Sequence, residues 1–297
     1  MYHVLSVLAG IIVAVMVAVN GKLSSYSGVY SSTVVIHIVG LLTVLLLLAI
    51  RRERVFSVKR QPLYMYLGGA IGVASVVFSN IAFGSISVSA IIALSLLGQS
   101  LTSLVYDRWG LCGMPKREFH KMKLIGIAFV VLGIAAMLYG SEAQAVIPIA
   151  MSLLIGVSTV MSRTVNALLA QRTSVLVSAL FNYIVGLAVS AAALLVAGRA
   201  EPMMQKFSLS PDVWIYTGGI LGLFIVVALN AAVCRISSFY MTLLLFVGQV
   251  FSGIAVDIVL TGSFSVNNLV GGLCITAGLA QNLWVDKRLE RVPCPDA

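Results

Sequence analysis

Charge is what this sequence has least of. Only 10% of its 297 residues are charged, against about 25% in a soluble globular domain. That scarcity excludes an ordinary water-soluble chain, and no segment is long and polar enough for an aqueous domain. The four cysteines (Cys112, Cys234, Cys274 and Cys294) show neither close pairing nor metal-ligand spacing, which argues against a disulfide framework or a metal centre. None of the seven prolines interrupts the middle of an apolar run, and Pro148 stands at the start of one, where proline is tolerated. Broken helices of the sodium-symporter kind are therefore not indicated. No Walker A sequence occurs, which argues against direct ATP drive, and no cofactor is called for. Integral-membrane enzymes need His, Asp, Glu or Lys clustered near the membrane surface, and no such cluster is evident.

What is present is apolar sequence, at 60% of the chain. Runs of membrane-spanning length fall near 4–20, 30–50, 64–83, 88–106, 124–140, 146–168, 174–197, 213–233, 238–260 and 267–285. The first has no basic leader and no small-residue cleavage site, so it reads as a retained helix rather than a signal peptide. Ten helices with short connections imply a multi-pass protein whose first partner is the lipid bilayer. The net charge of +9 is then no sign of nucleic acid, because basic residues of membrane proteins gather in cytoplasmic loops.

The runs repeat. Asn20 and Gly40 match Asn166 and Gly186, and "HIVG" (37–40) matches "YIVG" (183–186). "YLGGAIG" (66–72) matches "YTGGILG" (216–222), and Asn80 matches Asn230. "LLGQSLTSLVYD" (96–107) matches "FVGQVFSGIAVD" (246–257), pairing Gln99 with Gln249 and Asp107 with Asp257. The expected fold is an all-α integral membrane protein of ten transmembrane helices in two five-helix repeats. The first covers 1–140, a short outer linker covers 141–145, the second covers 146–288, and a cytoplasmic tail covers 289–297. Five is odd, so the second copy enters from the opposite side and the repeats are inverted. With both termini cytoplasmic, inner segments hold fifteen of the 19 Lys and Arg and outer loops only Lys22, Arg199 and Lys206. The positive-inside rule favours that orientation in a cell (inner) membrane.

Halves with Asn closing the first helix, "GQ…D" in the fourth and paired glycines in the fifth resemble the YdcZ-like family of the drug/metabolite transporter superfamily. The most specific stretch is "LLGQSLTSLVYD" with the following "RWGL" (108–111); the second half keeps Gln and Asp but loses Arg-Trp-Gly. The resemblance covers residues 4–288. It implies a ten-helix transporter fold and no particular substrate. Unlike the superfamily's small multidrug members, this chain has no carboxylate in its first helix.

The polar residues at membrane depth are the candidate site. Gln99 and Gln249 fall near the midplane, where inverted-repeat transporters bind substrate; the alternative is a bond to a neighbouring helix. Arg163 lies in "STVMSRTVNALL" (158–169), opposite apolar Val17 in the repeat. It is an anion-attracting group, an ion-pair partner of Asp107 at matched depth, or a snorkelling side chain. His37 and its mates Asn182 and Tyr183 are further substrate-contact candidates, although a mid-membrane His is also an ordinary hydrogen-bonded residue. Asp107 and Asp257 are candidates for gating or ion pairing, or else cap helix ends. Helices 5 and 10 should be peripheral, because their apolar spans carry almost no polar side chains. The expected function is secondary transport or facilitated passage of a small-molecule substrate by alternating access. The alternatives are an integral-membrane enzyme on a lipid-linked substrate or a non-transporting assembly partner; self-association stays open.

Overall fold

The computed structural model describes residues 2–53, 61–109, 120–139, 145–200, 210–233 and 238–289. They form ten α-helices: α1 (Tyr2–Ser27), α2 (Val29–Arg51), α3 (Gly68–Ala82), α4 (Val88–Trp109), α5 (Lys123–Met137), α6 (Val146–Arg172), α7 (Val175–Ala200), α8 (Gly218–Val233), α9 (Ser238–Thr261) and α10 (Val266–Leu289). Short 3-10 turns at Leu63–Tyr66 and Val213–Thr217 lead into α3 and α8, at matching places in the two halves. In lipid every backbone polar group must be satisfied within the chain, and a helix does so by itself. Breaks come where the backbone leaves the helical region. Gly28, at φ 84°, separates α1 from α2, and Gly262, at φ 69°, ends α9.

Among the described residues seven helices are long and apolar enough to cross a membrane by length and composition: α1, α2, α3 with its 3-10 turn, α4, α6, α7 and α9. α5 and the Val213–Leu229 segment are apolar but shorter. α10 is long, but Asn267, Asn268, Gln281, Asn282 and the Asp286–Lys287–Arg288 run dilute its apolar character.

Small residues set the helix crossings, as expected where lipid tails compete equally for apolar side chains. A Cβ on Gly10 of α1 would collide with the α9 backbone at Leu245 and Gly248; one on Gly156 of α6 would collide with the α4 backbone at Ser95 and Gly98. Gly69 faces the α7 backbone at Asn182 and Gly186, and Gly219 faces the α2 backbone at Ile36 and Gly40. α5 meets α10 through Gly126 against Gly278 and Gly133 against Gly271. Each contact recurs between the repeat mates of its residues. An apolar cluster of Val88, Ile92, Leu96, Val130, Ile134, Val250 and Ile275 ties α4 to α5, α9 and α10. α4 and α9 thereby stand inside the bundle and carry both glutamines inward.

Candidate functional site

Three cavities meet at Arg163. The central one, about 240 Å³, is lined from α1, α3, α4, α6, α8 and α9 and includes Asn20, Ser75, Gln99, Thr159, Arg163 and Gln249. The largest, about 390 Å³, lies towards the end of the bundle where α4 finishes and is bordered by Gln99, Ser103, Lys123, Arg163, Asn282 and Asp286. A lateral one, about 240 Å³, lies among α6, α7 and α8 beside Asn166, Asn182 and Tyr183.

Gln99 and Gln249 are both buried, at 9% and 2% exposure, and both line the central cavity. Gly156 packs on the backbone at Gln99 and Gly10 on that at Gln249, so each amide sits at the closest approach of two helices. Arg163 is exposed to the cavities rather than sealed in protein, and its Nη1 donates to Gln99 Oε1 at 3.3 Å. Among the described residues Gln249's amide has no hydrogen-bond partner, and no carboxylate reaches Arg163. The Asp107 side chain lies outside the described residues. Asp107 itself is eight residues beyond Gln99 on one continuous helix, a rise of about 12 Å. The guanidinium is thus bonded to Gln99, which precedes Asp107 by about two turns of α4.

Asp257 has another role than ion pairing. Its carboxylate accepts the backbone N–H of Val88 at 2.6 Å and of Ser89 at 2.9 Å, and Asn268 Nδ2 at 3.4 Å. These are the first amides of α4, which no helical carbonyl can satisfy, and a carboxylate there also complements the helix dipole. Asp257 therefore caps α4 from α9.

His37 lines none of the three cavities. It is 4% exposed, its Nδ1 donates to the Thr33 carbonyl at 2.7 Å, and its ring meets Tyr183 edge-to-face at 6.1 Å. Tyr183 donates to the Gly219 carbonyl at 3.0 Å and, with Asn182, borders the lateral cavity. Asn182 Oδ1 accepts from Asn166 Nδ2 at 2.8 Å. The Gln99–Gln249–Arg163 group and the Asn182–Tyr183 group therefore belong to different cavities, joined at Arg163.

Among the described residues α5 and α10 line no part of the central cavity, in keeping with a peripheral place, but their ends border the largest one. Lys123, one of the fifteen inner cations counted in the sequence, is the buried first residue of α5 and pairs with Asp286 of α10 at 2.5 Å. Asn282 is one turn before Asp286, and its Oδ1 is buried without a partner. Its spacing from Asp286, i to i+4 on one helix face, was the available signal.

A family model described as "Putative inner membrane exporter, YdcZ" matches residues 1–136 and again 147–281. The chain belongs to the YdcZ family. Each half carries one YdcZ match, so the two repeats seen in the sequence are two copies of one family unit. Membership of this exporter family and the apolar helices make the chain a multi-pass membrane protein of transporter type. No curated protein matches. Solved structures do, in 13 chains; one, named only "Crystal structure of protein", is 16% identical over 97% of both chains with a TM-score of 0.62. At that identity the likeness speaks for the fold alone.

Proposed function

We propose that the chain is a secondary transporter that moves a small molecule across the inner membrane by alternating access, with the central cavity as its site. The single observation carrying this reading is that Gln99 and Gln249, mates in the two family units, line one cavity. Two inverted five-helix repeats, over 1–140 and 146–288 with both termini cytoplasmic, are the arrangement that the recurring glycine contacts support. Inverted repeats form their sites at the interface of the halves near the midplane.

In this orientation the largest cavity lies on the cytoplasmic side, next to the ends of α4 and α10, while Asp257 draws α9 against the start of α4 outside. The state described is inward-facing. Asp257 acts as the outer latch, and its mate Asp107 is placed by symmetry to serve the start of α9 in the same way when the inner side closes. Asn182 and Tyr183 extend the substrate path sideways from Arg163.

The test is flux in proteoliposomes, screened over small metabolites with and without a pH gradient. Saturable uptake that Gln249→Ala abolishes while the purified variant stays monodisperse supports the reading. Uptake unchanged by both Gln99→Ala and Gln249→Ala removes the central cavity from the path. Lipid-linked products in a turnover assay favour the enzyme instead.

A further inference from the structure

We infer that the central cavity binds a small organic monoanion, a carboxylate on an apolar body, with Arg163 as its counter-ion. This rests on the transport reading above and adds the class of substrate. The charge inventory carries it. Among the described residues Arg163 is the only charged one lining the central and lateral cavities. The charged pair bordering the largest cavity, Lys123 and Asp286, is already joined. The Arg163 contact within the described residues is a single bond to a neutral amide oxygen. A guanidinium presents its donors in a planar fork that matches a carboxylate's two oxygens, so one bond to Gln99 leaves most of that fork free.

Gln249 is the second, independent observation. The residue is 2% exposed and borders the same cavity, and no hydrogen bond to its amide occurs among the described residues. An anion's oxygen would give its N–H a partner. The remaining wall is apolar, from Met16, Val17, Ile91, Ile92, Ile225 and Val226. At about 240 Å³ the chamber is below the range that holds drug-sized ligands, which limits the body to a few carbons or one ring. Closure expels water, and a bare cation is expensive in a dry, low-dielectric site. An anionic substrate neutralises Arg163 at that step, whereas a cationic one adds to its charge.

The probes are benzoate, benzamide and benzylammonium, one ring with a negative, neutral or positive group. Binding to the purified full-length protein is measured by calorimetry, apart from any flux. Benzoate is expected to bind at least about tenfold more tightly than either isostere. Arg163→Gln should abolish the preference while keeping the elution profile of the wild type. Arg163→Lys, which keeps the charge but loses the fork, should weaken benzoate about tenfold; it also serves if the Gln variant fails to fold. Equal binding of the three probes, benzoate binding unaltered by either variant, or none up to about 10 mM overturns the proposal. Anion binding without flux would defeat the transport reading and leave the anion site standing. Saturable flux of a cation through Arg163→Gln would do the reverse.

Discussion

The carboxylate of Asp257, on α9, accepts the backbone N–H of Val88, at the start of α4, across 2.6 Å. With Ser89 N–H at 2.9 Å, one side chain from the second half satisfies two amides that open a helix of the first. Removing it should orphan buried donors. Asp257→Ala is expected to lower stability by about 1–3 kcal/mol, read as a drop in the thermal midpoint in detergent. Asp257→Asn, itself a good cap, should recover most of it. Equal losses in the two variants would mean that the cap is not what the residue supplies.

Arg163 and Gln99 should be energetically coupled. Their side chains share a hydrogen bond, so Arg163→Ala and Gln99→Ala should give non-additive effects on substrate binding, with a coupling of about 0.5–3 kcal/mol. The Arg163–Asp107 cycle should be closer to additive, because two turns of α4 separate Asp107 from the bonded Gln99. A coupling as large for Asp107 as for Gln99 would speak for the inner ion pair as a gate.

The contrast between those two partners shows how far the sequence could be read. Gln99 and Gln249 were legible because each is a lone amide in an apolar run and the repeat places them as mates. The ten helices were legible for the same reason, most borders to within a few residues, because apolar runs have polar borders; α1 runs on to Ser27, past the end of its apolar run. Arg163's bond to Gln99 was not legible. Matching depth along the chain pointed only to Asp107, whose side chain lies outside the described residues. Helical side chains tilt towards the helix N-terminus, so a residue as long as Arg reaches back up α6 to Gln99. Lys123 did not stand out because it ends a basic stretch, and only the pairing of α5 with α10 reveals that it is buried. The double role open to each aspartate was resolved for Asp257 by the position of α4, which no local pattern encodes.

The glycine crossings should tolerate no side chain. Gly10→Val and Gly156→Val, mates on α1 and α6, would each drive a side chain into the backbone of the facing helix. Both are expected to lose the monodisperse species on size exclusion, whereas Gly84→Ala, with open space around its Cβ position, should keep it despite some strain from φ 83°. A well-folded Gly10→Val protein would mean that α1 and α9 do not approach as described.

Lys123 and Asp286 supply the test of how α5 and α10 are joined. Lys123 is 6% exposed, and Asp286 faces it at the edge of the largest cavity. Breaking a buried pair from one side strands the other charge and costs about 3–5 kcal/mol, whereas replacing both members is far milder. Asp286 is partly open to the cavity, which screens its charge and puts the expected loss at the lower end of that range. Lys123→Met should therefore destabilise the protein, and so should Asp286→Leu, while the double variant should melt near the wild type. The ion pair also holds the α5–α10 unit against the cavity border, so the double variant is expected to keep its fold but change flux. A double variant whose loss equals the sum of the two single losses would show that the two residues act through separate contacts, and α5 and α10 would then be held together by their paired glycines and the apolar cluster around Val130 and Ile275.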